Sequence, residues 1–159
     1  MRDGLIDGVG ACGHWTHDGP TVTTMLDYSC MPVRSVIHKQ KQLVVTIEEG
    51  RVTFCDMLAN HDRLLSDPDF NPEFNQLSDA TLATDTDLSA SNARTLYDRK
   101  VFSPTARRAV VAPSEFTYGV ARMLQTYIEL SKYGPVVEVF RDRASALTWL
   151  GISEDLLGT

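Results

Sequence analysis

The sequence has few of the features that mark a secreted or membrane-spanning protein. Its 159 residues include three cysteines, an odd number without CxxC spacing, which do not indicate a disulfide framework. No apolar run approaches the roughly 18 residues of a membrane span. The N-terminus lacks the basic start and apolar core of a secretory signal. These absences predict a cytoplasmic protein without a membrane span.

Positive charge is also scarce, since 15 lysines and arginines stand against 21 aspartates and glutamates, giving a net charge of −6. Nucleic-acid-binding modules usually present a basic stripe. The adjacent basic pair of this chain, Arg107 and Arg108, lies at the entrance of a β-prone run, where solvated edge charges are common. The composition therefore argues against nucleic acid as a partner.

Complete catalytic motifs are absent as well. The chain contains no Gly-x-Ser-x-Gly motif and no P-loop motif. Their absence argues against the common classes of hydrolase and nucleotide-binding protein. Zinc-type ligands occur near the N-terminus, but their spacing matches no common finger: Cys12, His14, His17 and Cys30. We therefore expect no metal site and no cofactor.

Residues 1–30 differ in composition from the rest of the chain. Glycines are scattered through short polar words, and neither a helical nor a strand period is sustained. This segment is predicted to be an irregular N-terminal arm or an upstream extension, and residues 31–159 are predicted to form one folded domain.

The folded part begins with signals for a β-hairpin and a capped helix. Two β-prone runs, Val33 to His38 and Leu43 to Glu48, are joined by four polar residues, and Gly50 is expected to end the second strand. Thr53, followed three residues later by Asp56, is typical of a capping box. Apolar residues then repeat at helical spacing, and one helix face is expected to bury Cys55 at least partly.

Strand-like and helical stretches then alternate to the end of the chain. A third strand is predicted over 74–80, and a loop with acidic helix-start residues leads to a helix ending near Ser103. Two further strands each precede a capped helix, the caps being Ser114 and Asp142, and Gly151 closes the last helix. The order β-β-α-β-α-β-α-β-α predicts an α/β fold with parallel strands after the hairpin.

Three segments of the sequence carry a resemblance to a known family: 108–114 (RAVVAPS), 118–123 (YGVARM) and 139–150 (VFRDRASALTWL). With the element order, they resemble the largely uncharacterised bacterial SpoIIAA-like proteins. That family looks like a relative of the STAS anti-sigma-factor antagonists and, in fold, of the CRAL-TRIO lipid-transfer proteins. The resemblance covers about Val33 to Gly151 and implies a single-wound βα superhelix. Such a sheet leaves one face uncovered by helices, for the arm or a second copy of the chain to cover.

Antagonists of the STAS type carry a phosphorylatable serine in an Asp-Ser-Ser/Thr-Gly word at a helix N-terminus. The matching place here is Asp79-Ala80-Thr81-Leu82, in which the acid and one hydroxyl are retained. Ala80 and Leu82 replace the serine and the glycine. The departure argues against a phosphorylation switch at Thr81.

The start of the long helix is the strongest candidate site, because open α/β sheets bind ligands at the carboxyl ends of their strands. We expect a rim formed by Asp79, Thr81, Ser114, Tyr118 and Arg122. The chain is interpreted as a non-enzymatic binding module, regulatory in role, for a protein partner or a small apolar or anionic ligand. Two alternatives stay open: a small enzyme using Asp79, Glu115 or Tyr118, and a structural homodimer subunit.

Overall fold

The computed structural model describes residues 31–131 and 134–154. One sheet contains five strands in sequence order, and four helices follow the last four of them. β1 pairs antiparallel with β2, and β2 to β5 are parallel. The strands are β1 (Val33–His38), β2 (Leu43–Val52), β3 (Asn75–Thr86), β4 (Arg107–Val111) and β5 (Val136–Phe140), and the helices are α1 (Phe54–Ser66), α2 (Ala90–Asp98), α3 (Glu115–Leu130) and α4 (Arg143–Leu150). The predicted α/β class and element order are confirmed.

Local side-chain chemistry starts α1, α3 and α4, and ends α4, where the sequence predicted. Thr53 and Asp56 form a reciprocal capping box at α1, satisfying backbone N–H groups that the helix leaves unbonded. Ser114 and Asp142 each accept a hydrogen bond from the backbone N–H three residues on. Gly151 ends α4 in the left-handed region at φ 76°. These predictions are confirmed.

The middle strands are longer than predicted. β2 continues past Gly50, which takes φ 67° at a register irregularity, and β3 continues to Thr86. The extensions satisfy each other's backbone groups, with Glu49 opposite Leu82 and Val52 opposite Thr86. Pairing with a neighbour thus outweighs the weak strand propensity of both segments.

The role of Asp87 and the end of α2 also differ from prediction. The Asp87 carboxylate accepts a 2.7 Å hydrogen bond from the backbone N–H of Phe54, so it serves the start of α1 and not its own helix. α2 ends at Asp98, and Lys100 turns the chain with φ 50°. The next two residues, Val101 and Phe102, are buried in a core cluster, so tertiary packing ends the helix early.

Helices cover both faces of the sheet. The face predicted to be free of helices packs against α4, in a core cluster of Leu43, Val45, Leu77, Ala109, Val111, Ala146, Leu147 and Leu150. The alternate residues of the strands point to the other face, where α1, α2 and α3 lie. The prediction of a face without helices is therefore wrong. Among the described residues, no helix combines the length and apolarity that crossing a membrane requires.

Cys55 departs from the sequence-based prediction. It lies on an exposed face of α1 and is disulfide-bonded. The other two cysteines, Cys12 and Cys30, lie outside the described residues. The expectation that Cys55 is at least partly buried is wrong, and its disulfide is one that the number and spacing of the cysteines did not indicate.

We propose that residues 31–159 form an independent folding unit, because the described residues of this range already form three core clusters between the sheet and its helices. Deleting residues 1–30 should leave a cooperative thermal transition. The full-length Cys55→Ser variant is the matched control, because loss of the disulfide alone can cost about 2–5 kcal/mol. A deletion chain without a transition, beside a control that keeps one, would show that the arm belongs to the core.

Candidate functional site

A ladder of hydrogen-bonded polar side chains crosses the sheet beneath α1, α2 and α3. Ser35 on β1 donates to Asn60 of α1 at 3.0 Å and lies 2.9 Å from the Thr46 hydroxyl on β2. Gln76 on β3 donates to Thr46 at 2.8 Å and accepts from Arg108 Nε on β4 at 2.6 Å. Asn60, Thr46 and Gln76 are almost fully buried. The ladder fixes the Arg108 side chain at its end.

Glu48 and Arg108 bring two opposite charges to this face. Glu48 accepts a 2.6 Å hydrogen bond from the Ser78 hydroxyl, and burial raises the pKa of its carboxyl. Burial also lowers the pKa of Arg108 to about 10, while the charge of Glu48 opposes that fall, so the guanidinium stays cationic at neutral pH. Within the part of the chain that the structure describes, no ion pair joins Glu48 to Arg108. The space between them is part of a cavity.

The guanidinium of Arg108 keeps unused hydrogen-bonding capacity. Its Nε is bonded to Gln76, and its carbon lies 5.0 Å from the centre of the Phe102 ring. Within the described part of the chain, its two Nη atoms have no hydrogen-bond partner. The Nη atoms are not among the fully buried polar atoms that lack a partner in the described part of the chain, so they face accessible space in which another group can accept from them.

An apolar cavity of about 80 Å³ lies between the sheet and helices α2 and α3. Its floor includes Glu48, Ser78 and Arg108. Most of its wall is aliphatic, with side chains from all three helices on this face and from the loop before α2: Met57, Leu88, Ala93, Leu96, Val120, Ala121, Met123 and Leu124. Small-molecule sites are typically apolar spaces of roughly 300–1,000 Å³ with a few well-placed polar groups. This cavity has that composition, and it reaches that size only together with a second cavity that adjoins it.

A second cavity, of about 290 Å³, adjoins the first. Leu96 and Arg108 line both. His61 also lines the second cavity, and its Nδ1 is buried without a hydrogen-bond partner among the described residues. Burial, with the nearby charges of Arg108 and Arg99, lowers the pKa of His61 to about 3. His61 is therefore a neutral ring at neutral pH.

Part of the rim predicted from the sequence comes together at the carboxyl ends of the strands. Asp79 and Thr81 line a groove of about 570 Å³ that also contains Arg34, Arg141 and Arg143. Asp79 is mostly buried, pairs with Arg143 at 2.7 Å and accepts from the backbone N–H of Thr81 at 3.0 Å. The arginines are engaged by carboxylates: Arg34 lies 3.1 Å from Glu49 and Arg141 lies 3.0 Å from Glu115.

The remaining rim residues lie on or before α3. Ser114 caps the helix, and Tyr118 lies beneath the guanidinium of Arg141, 3.7 Å from the ring centre. Arg122 is exposed, donates to Gln125 at 2.7 Å and does not line the groove. The structure thus brings Asp79 and Thr81 together and uses Ser114 for capping. The five-residue rim as a binding site stays a prediction.

Sequence reasoning missed the interior site because it treated Arg107 and Arg108 as solvated edge charges. In the structure, Arg107 stacks on Trp149, 4.0 Å from the ring centre, and Arg108 faces the cavities. The available signal was the alternation of polar residues on three neighbouring strands, at Thr46 and Glu48, Gln76 and Ser78, and Arg108. These residues share one face of the sheet.

The described residues contain no group of three or more His, Cys, Asp and Glu side chains that could hold a metal ion. The zinc-type ligands noted in the sequence, between Cys12 and Cys30, lie outside the described residues.

Comparison with known proteins identifies the fold. No family model matches the chain, and no curated protein matches it at a significant level. Among solved structures it is similar to an uncharacterized protein of the DUF3478 family with a SpoIIAA-like fold, from Shewanella loihica PV-4. The identity is 19%, the TM-score is 0.50, and the match covers 74% of this chain and 91% of the other. The chain therefore has a SpoIIAA-like fold, as the resemblance implied.

Proposed function

We propose that this chain is a non-enzymatic binding module whose ligand, a small apolar molecule with one polar end, occupies the cavity beneath α2 and α3 and extends into the second cavity that adjoins it. The observation that carries the proposal is the pairing of a largely aliphatic wall with the unbonded Nη donors of Arg108 on the floor. A ligand that buries its apolar part there gains roughly 25 cal/mol per Å² of apolar surface removed from water. Of the two partner classes expected from the sequence, the small ligand is favoured.

The contacts at the strand ends support binding over catalysis. The carboxylate of Asp79 is held by Arg143 and by a backbone N–H, and Glu115 is paired with Arg141. The Tyr118 ring is covered by the Arg141 guanidinium. These groups stabilise the junction between the strand ends, α3 and α4, whereas a general acid or base must reach a substrate proton.

Filling the cavity should abolish binding without harming the fold. In wild type, n-octanol at ten times its Kd should raise the free energy of unfolding by about 1.4 kcal/mol and the Tm by about 3–6 °C. Ala121→Leu places three extra carbon atoms in the cavity from α3, so it should keep or raise the Tm and lose the response to octanol. Differential scanning calorimetry measures both effects.

Ala59→Leu is the matched control, since the same change at an exposed position of α1 leaves the cavity untouched. Its response to octanol should equal that of wild type. Equal responses in all three proteins would place the octanol outside the cavity, and no response in any of them would refute the proposed function.

A further inference from the structure

We infer that the ligand is an unbranched aliphatic monocarboxylate, with its carboxylate on the two Nη atoms of Arg108 and its hydrocarbon chain between the sheet and α2 and α3. This inference rests on the proposed function and adds the chemical class of the ligand. Three features of the cavity carry it: the orientation of the guanidinium, the charge of the floor and the shape of the wall.

The first feature is the way in which Arg108 is held. Gln76 accepts from Nε at 2.6 Å, and Gln76 is itself fixed by Thr46 at 2.8 Å. The Phe102 ring lies beside the guanidinium. With one edge anchored, the end formed by the two Nη atoms remains for a ligand. Two parallel N–H donors on a planar cation match the two oxygens of a carboxylate.

The second feature is the balance of charge. Arg108 is the single cationic residue that lines the apolar cavity among the described residues, and the carboxyls of Glu48 and Asp85 line it too. A dianion such as a phosphate monoester would meet one cation and two acidic side chains, so its second charge would be uncompensated. A monoanion leaves one favourable contact with Arg108, which Glu48 weakens when it is ionised.

The third feature is the wall, most of which is built from aliphatic side chains and methionines. Met57 from α1, Leu96 from α2, and Val120, Met123 and Leu124 from α3 line the space above the floor. Methionine side chains adapt to an inserted chain because they have three rotatable bonds. Each methylene buried here should tighten binding about fourfold, the equivalent of about 0.8 kcal/mol.

The test compares octanoate, hexanoate and n-octanol by isothermal titration calorimetry at pH 7 on the full chain. We expect octanoate to bind tighter than octanol by roughly tenfold to a hundredfold, the range for hydrogen bonds to a charged group. Hexanoate should bind about 16-fold more weakly than octanoate. Arg108→Gln should bring octanoate down to the affinity of octanol and leave octanol unchanged.

Glu48→Gln provides a second variant whose effect has the opposite sign. It keeps an acceptor for Ser78 and leaves the floor without this carboxyl charge at every pH. Octanoate should therefore bind at least as tightly as to wild type, and several-fold tighter above the raised pKa of Glu48, while octanol is unaffected. If Arg108→Gln does not fold, two other results test the inference: the ratio of octanoate affinity to octanol affinity in wild type, and the change in octanoate affinity in Glu48→Gln. Octanol binding with no preference for octanoate overturns the carboxylate inference alone, whereas failure of both compounds to bind overturns the proposed function with it.

Discussion

Replacing Leu77 by alanine is expected to lower the free energy of unfolding by about 3–5 kcal/mol. Leu77 is fully buried on the central strand β3, within the core cluster between the sheet and α4. Its removal deletes buried methyl and methylene groups and leaves a cavity that a sheet paired on both sides cannot close. Domains of this kind have a total stability of about 5–15 kcal/mol, so the loss would be a large share of it.

Leu82→Ala is the matched control, because Leu82 lies on the same strand but is 54% exposed. Its expected effect is within about 0.5 kcal/mol. Urea unfolding of both variants, with the m-value compared, measures the difference. A loss below about 1 kcal/mol for Leu77→Ala would mean that the face under α4 is not the main core of the domain.

Acid should destabilise the protein through His61. Its pKa falls from the ordinary 6.5 to about 3 in the folded state, because the ring is buried and lies near Arg108 and Arg99. Between these two pH values the unfolded chain binds a proton that the folded chain does not. The contribution of neutral His61 to the free energy of unfolding is therefore fully present above pH 6.5. Below that pH the free energy of unfolding falls by up to about 1.4 kcal/mol per pH unit, a total of about 5 kcal/mol near pH 3.

Other titrating groups also change the free energy of unfolding in acid, and not all of them change it in the same direction. Because the pKa of Glu48 is raised in the folded state, Glu48 adds to the free energy of unfolding below pH 4.5. This addition is lost as the pH rises through the folded-state pKa of Glu48, so it opposes the effect of His61. The exposed Asp142 and Glu73 have lowered pKa values and add to acid destabilisation. A wild-type pH profile alone therefore mixes several groups.

The His61→Phe variant isolates the histidine, because it keeps a ring in the second cavity and removes the titrating group. The difference between the wild-type and variant free energies of unfolding should change by several kcal/mol between pH 7 and pH 4. His38→Phe on β1, measured in the same way, is the control for exchanging a histidine for a phenylalanine. Parallel profiles for wild type and His61→Phe would show that His61 binds its proton over the same pH range in the folded and the unfolded chain.

Local signals predicted the elements well. Thr53, Ser114, Asp142 and Gly151 act on backbone groups within three or four residues of themselves, so the sequence alone located the helix ends they control. The ends of β2, β3 and α2 depend on partners far along the chain. Leu82 extends β3 because Glu49 is opposite it, and no local pattern carries that information.

The candidate site was harder to predict for the same reason. The cavity floor joins Glu48, Ser78 and Arg108 from three strands, and its wall comes from three helices. Arg122 was selected for its spacing on α3, yet it bonds to Gln125 on the same helix. Arg143, which holds Asp79, is 64 residues away along the chain. Strand adjacency follows from the topology, but which of these side chains meet depends on the register.

The most direct test of the proposed binding cavity is a titration followed by the ¹³C-methyl signals of methionine in the nuclear magnetic resonance spectrum. Met57 and Met123 both line the cavity, and Met31 does not, so the chain contains its own internal control. Adding n-octanol should shift the Met57 and Met123 signals saturably, with one Kd, and leave Met31 in place. Unchanged Met57 and Met123 signals at saturating octanol would contradict the account.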